Sequence, residues 1–260
     1  MLTKRKRKSG GSSSWPDSTS SACATHSLRK PPKSINARIE LTAPRPDTCT
    51  IFVGEEKSIY HVPTEAVTGH DYLQSLILKT PDFGTHINLW ATLPTSAQEF
   101  KPISQYLAHG DFPPKYIPER NGALARLQNT IIPEQKTRAA ETCALVFVTA
   151  SHLRMERLQA LVVDKLRTLY PLPPVHILIL VRCLTRASSS SSTSSTEGGE
   201  ARAALFDWLA DHVAEYYFLL MREHGRQLCE GLRDDEELLQ AVLERVLRDP
   251  KGCWRGVEDG

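Results

Sequence analysis

The spacing of apolar residues changes once along this chain, and that change limits what it can fold into. Between Thr48 and Val53, Cys49, Ile51 and Val53 alternate with Thr50 and Phe52, the period of two expected of a half-buried strand. Gly54-Glu55-Glu56-Lys57 supplies a polar turn and Ser58 to Val62 resumes the β-rich run, so the pattern predicts a hairpin. From Pro63 onward the spacing is mostly helical. Pro63 can open a helix at its first turn, where its missing N–H costs nothing, and Ala66 and Val67 would lie on it. Tyr72, Leu73, Leu76 and Ile77 predict a second helical segment that ends before Pro81. His86 to Leu89 predicts a third strand.

The segment Thr95 to Leu107 predicts a helix with Phe100, Ile103 and Leu107 on one face. Ser96 stands three residues before Glu99, the reciprocal spacing of a capping box. Gly110-Asp111-Phe112-Pro113-Pro114 stops this helix. Residues 111–136, rich in Pro and polar side chains, are expected to form a long surface connection, with a turn of helix near Ala123 to Leu127. Two helices follow, over Thr137 to Ala150 and Arg154 to Leu169. In the second, Leu158, Leu161, Val162, Leu166 and Leu169 form a stripe opposite Arg157, Asp164 and Arg167. Pro171 to Pro174 breaks the chain before a buried helix at Val175 to Cys183. Further amphipathic helices are expected over Ala203 to Met221 and Glu236 to Leu247, the latter carried by Leu238, Leu239, Val242, Leu243 and Val246 and ended by Pro250. A hairpin, helices, a strand and then helices to the end make an α+β chain, a small sheet with clustered helices and a helical carboxy-terminal extension.

The charge is divided unevenly. A net charge of +2 over 260 residues conceals ten Lys or Arg against two acids up to residue 46, an excess of +8, and 22 bases against 28 acids afterwards, a net of −6. That first stretch, 1–46, lacks enough apolar surface to offset its backbone entropy of ~1–2 kcal/mol per residue and is expected to be disordered. Its run Lys4, Arg5, Lys6, Arg7 and Lys8 suits an import-receptor groove, and otherwise a phosphate backbone bound nonspecifically and weakly in salt. Six scattered cysteines, no secretory signal and no run near the ~20 apolar residues of a membrane span lead us to expect free thiols, a nuclear or cytoplasmic location and no membrane partner.

No catalytic motif is present: the chain has no GxSxG, GxxxxGK, GxGxxG or HExxH. Cys and His do not fall at zinc-ligand spacing, so we expect no enzyme, no metal and no cofactor. His61, His152 and His176 read as satisfied or surface imidazoles, and Cys143 and Cys183 as small hydrophobes. The pair His109 and Asp111 around Gly110 could orient a metal or a base, but a capping turn is the simpler reading. An enzyme built on Cys143 or His109 is the remote alternative.

Four stretches, taken in order, resemble a known family. Asp47-Thr-Cys-Thr-Ile-Phe-Val-Gly54 followed by Ser58-Ile-Tyr-His-Val62 resembles the opening hairpin of a BTB/POZ domain. Tyr72-Leu73 falls where that family carries an aromatic pair. Phe100 to Tyr106-Leu107-Ala108-His109-Gly110-Asp111-Phe112 resembles its next helix and turn, and Ala144-Leu145-Val146 through Ala150 to Gln159 its paired helices. The likeness covers about residues 47–170, and its second half is closest to divergent BTB-like proteins of filamentous fungi. It departs in four places: His61 falls one residue early in the returning strand, His70 replaces a Ser, Gly84 stands where ubiquitin-ligase adaptors often carry an acid after Phe83, and the stretch 111–136 is longer than the family's usual connection.

The resemblance implies a BTB/POZ-like domain over 47–170, continued by a helix over 171–187. A Ser-rich linker over 188–199, helices over 200–250 and a tail over 251–260 would follow. It implies a scaffold that binds other proteins, including a second copy of itself as a homodimer. Two alternatives stay open: a nuclear chromatin- or transcription-associated factor using the basic tail, and a substrate adaptor for a cullin-type ubiquitin ligase.

Overall fold

In the computed structural model, the described residues are 47–117 except 91 and 94, 126–190, and 199–250. The basic tail with Lys4 to Lys8, most of the Ser-rich linker and the segment 251–260 lie outside them. The expected hairpin is present: β1 (Thr48–Val53) pairs antiparallel with β2 (Ser58–Pro63), Ile51 opposite Tyr60. Its turn brings Gly54 to φ +71° against the start of a later helix, where a Cβ would sit 3.4 Å from the Thr95 carbonyl oxygen. The left-handed backbone there is what favours glycine, since the space would admit a Cβ.

Helices α1 (Thr64–Thr68) and α2 (Asp71–Ser75) lead to β3 (Leu78–Thr80) and β4 (Gly84–Asn88). The sheet order is β2-β1-β4-β3, with β4 parallel to β1 through the α1–β3 crossover. Here the expected helix through Ile77 is corrected. α2 stops at Ser75 because Leu78, Lys79 and Thr80 pair with His86, Thr85 and Gly84. Leu76 and Ile77 still pack on the core.

Helix α3 (Ala97–His109) begins at the expected capping box, with Glu99 N–H donating to Ser96 Oγ at 3.3 Å and Ser96 N–H to Glu99 Oε2 at 2.9 Å. It ends at Gly110, left-handed at φ +74°. The next segment corrects a second expectation. Tyr116–Ile117 (β5) pairs antiparallel with Arg126–Leu127 (β6), and Phe112 and Leu127 are buried. The connection is therefore anchored, and its residues 126 and 127 are strand where a helical turn was expected.

A polar side chain adds to that anchor. α4 (Pro133–His152) and α5 (Glu156–Leu169) pack together, and the stripe of α5 is buried at Leu158, Val162, Leu166 and Leu169. Lys165 on α5 is fully buried too. Its Nζ donates to Asp111 Oδ1 at 2.5 Å, to the Phe112 carbonyl at 2.5 Å and to the Pro114 carbonyl at 2.9 Å, and lies 3.7 Å from the Phe112 ring centroid. Three acceptors match the three N–H bonds of an ammonium, which has no lone pair to offer. Burial pulls this ammonium below the ordinary lysine range while the Asp111 carboxylate opposes the shift.

Past α6 (Pro174–Ser190), α7 (Gly199–Glu215) packs on α5 and α6, α8 (Tyr217–Arg233) on α6, and α9 (Glu236–Arg248) on α7 and α8. The sheet and all the described helices thus belong to one packed unit. The single helix expected over Ala203 to Met221 is two, broken at Tyr216 (φ −109°, ψ 17°). The break turns α8 so that Leu220, Leu228 and Leu232 are buried. At the α5–α7 joint, Tyr170 stacks on His212 with centroids 4.0 Å apart and donates its hydroxyl to Glu215 Oε2 at 2.7 Å.

Removing one partner of the Lys165 contact should cost far more than a surface pair. Asp111→Ala leaves a buried cation with two carbonyls, and we expect a loss of about 3 kcal/mol in denaturant unfolding, the low end for a broken buried pair because Asp111 still meets water. Lys165→Ala adds a cavity and should cost more. The Tyr170 joint makes a pH prediction. Burial, and then the bond to Glu215, hold its phenol above the ordinary value of 10.0. The unfolded chain therefore ionises first, so this stability is complete below pH 10.0 and lost as pH rises beyond it. Tyr170→Phe should flatten that alkaline slope in a pH series of thermal melts.

Candidate functional site

The sheet has two different faces, fixed by its register. Cys49, Ile51 and Val53 of β1, with Val62 of β2 and Ile87 of β4, point one way and are buried beneath the helices. Tyr60 joins them, donating its hydroxyl to the Ala97 carbonyl and meeting Phe100 at 5.3 Å. The alternate residues point the other way: Ile59 and His61 on β2, Thr50 and Phe52 on β1, His86 on β4 and Leu78 on β3.

On that outer face an aromatic cluster forms. Phe83, from the β3–β4 turn, meets Phe52 edge-on at 5.6 Å and His86 at 5.8 Å. Together they cover His86, whose Nδ1 lies 3.2 Å from the Gly84 carbonyl oxygen. Leu78 remains 48% exposed and Phe83 37%. Just past β4, Trp90 is 46% exposed with Lys57 Nζ 5.0 Å from its ring centroid. Aromatic side chains that give up water cheaply are what strong protein contacts are built from, and here they are carried on a rigid sheet.

The residues singled out in the sequence are placed elsewhere. His109 is exposed in the last turn of α3, while Asp111 turns inward to Lys165. The structure thus separates that pair, and Gly110 makes the capping turn, its N–H donating to the Tyr106 carbonyl at 2.7 Å. Cys143 is fully buried and its thiol is pushed up to about 12 by burial; Cys49, also buried, is pushed up to about 11 for the same reason. Cys183 is half-buried. His61 is exposed on β2, 3.3 Å from Thr50 Oγ1. His152 ends α4, and His176 opens α6 with a buried Nδ1 that has no hydrogen-bond partner. Among the described residues no three His, Cys, Asp or Glu side chains converge as a metal site would require, and no helix is long and apolar enough to cross a membrane.

Comparison with protein-family models, with curated proteins and with solved structures finds no match to this chain. The geometry of its surfaces is therefore the evidence for function. Sequence reasoning missed the outer-face cluster, although period two along β1 already directs Phe52 away from Cys49, Ile51 and Val53. Phe83 and Trp90 sit outside any periodic run and gave no such signal.

The thiols make a direct check. Cys229 is exposed, whereas Cys49 and Cys143 are buried and held protonated. Brief alkylation of the native chain, followed by peptide mapping, should modify Cys229 ahead of the other three cysteines among the described residues. Cys49 and Cys143 should react only after denaturation.

Proposed function

We propose that this chain is a protein-interaction scaffold of the BTB/POZ type that receives a partner protein on the outer face of its sheet. The observation that carries the reading is the outer-face cluster of Phe52 and Phe83, with Phe83 and Leu78 partly exposed among the described residues. The resemblance supports it. Its four stretches fall, in chain order, on the β1–β2 hairpin, α2, α3 with its Gly110 cap, and the paired helices α4 and α5. The partner is a folded protein or peptide with apolar side chains to set against this cluster.

A nuclear role is the second reading, and the run Lys4 to Lys8 favours it. The tail would carry the scaffold to chromatin-associated partners and touch nucleic acid through charge alone. The ligase-adaptor version has less support, since Gly84 follows Phe83 where such adaptors often carry an acid.

Affinity capture of the intact chain with mass spectrometry, run beside Leu78→Glu/Phe83→Ser, tests the proposal. Leu78 is half exposed whereas Phe83 also shields His86, so Leu78→Glu alone, with a melting temperature close to wild type, controls for folding and should show the same loss in smaller measure. We expect a specific partner that the double variant loses by about tenfold or more. Equal recovery with both chains would overturn the assignment of this face. Deleting residues 1–10 should abolish nuclear accumulation if the second reading holds.

A further inference from the structure

We propose that a phosphorylated serine or threonine of a partner protein binds where His70 and Tyr72 meet Arg154 and Arg157 of the α4–α5 junction. Arg154 stands at the turn between the two helices with a left-handed backbone, φ +51°. Glycine or asparagine is the inexpensive residue for such a turn. An arginine is therefore held there at a local cost, the kind of strain that gathers at binding sites. What it gains is position. Its guanidinium carbon lies over the Tyr72 ring, 5.3 Å from the centroid, and a guanidinium placed so keeps its planar fork of N–H donors for an anion.

Arg157 acts on the same segment. Its charge reaches His70 and also Tyr106 of α3, whose ring stands 6.3 Å from that of His70. Neither guanidinium forms an ion pair with a described residue, Glu156 between them included. Burial first, and then Arg157, hold the partly buried His70 imidazole below its ordinary value of 6.5, with Asp71 opposing them. The ring is thus uncharged at neutral pH. A phosphate set against Arg157 cancels that repulsion, and His70 takes up a proton as the anion binds. Two guanidiniums and an imidazolium match the charge of a phosphate, whereas a lone carboxylate satisfies one guanidinium. The phosphate belongs to a peptide: the residues past 46 carry 22 bases against 28 acids, so the body repels a nucleic-acid backbone while it tolerates a single phosphate. Nothing in this inference rests on the BTB/POZ reading or on the outer sheet face.

NMR titration of the full chain at neutral pH tests it, following the His70 ring signals assigned with His70→Gln. The probes are a short alanine-flanked phosphoserine peptide, its unphosphorylated counterpart, inorganic phosphate and a single-stranded oligonucleotide. The phosphopeptide should move the His70 signals saturably and raise the pH at which the ring titrates. Arg157→Gln and Arg154→Gly should each weaken its binding by about tenfold. Both arginines are exposed and glycine relieves the turn, so neither variant should lower the melting temperature. Signals that do not move, an affinity indifferent to both arginines, or any of the other three probes binding as tightly as the phosphopeptide would overturn the proposal.

Discussion

The structure depends on one buried ammonium. Between Gly110 and Tyr116 the chain carries Pro113 and Pro114, which have no N–H to give, and turns the carbonyls of Phe112 and Pro114 inward. Buried carbonyls without donors cost free energy, and an apolar side chain from α5 would leave them so. Lys165 satisfies both, and Asp111 balances its charge. A buried ion pair is weak evidence for net stability. Its contribution here is placement: it ties the end of α3 and the start of β5 to the middle of α5, and so joins the sheet-bearing half of the molecule to its helices.

That join explains the asymmetry of the sheet. With α1 and α3 packed on one side, Cys49, Ile51, Val53, Val62 and Ile87 are buried, while among the described residues the opposite face keeps Leu78 and Phe83 partly exposed. Phe52 and Phe83 shield His86, yet Leu78 and Trp90 stay in water. The helical extension packs on α5 and α6. The functional reading follows from a surface kept available by the way the core is filled.

Much of this was legible in the sequence where a local signal and the tertiary demand agree. The period-two residues of β1, the Ser96–Glu99 box, Gly110 and the α5 stripe all say locally what packing requires of them. Lys165 was not legible, because a lysine among Asp164 and Arg167 reads as part of a solvated face; its acceptors lie more than fifty residues away. The three-residue edge strand β3 is too short to show a period. The break at Tyr216 has neither Pro nor Gly to announce it, and the charged surface of α8 hid its buried leucines. The outer-face site was half visible, in Phe52; Phe83 reaches it through a turn that pattern alone does not place.

The most direct test of the central claim is site-specific photo-crosslinking in cells, with a benzophenone side chain at position 83 on the outer sheet face or at position 226 on α8, where the native arginine is 90% exposed. The account predicts a discrete light-dependent protein adduct from position 83 that is missing from position 226. Adducts from position 226 alone, or the same set from both, would contradict it.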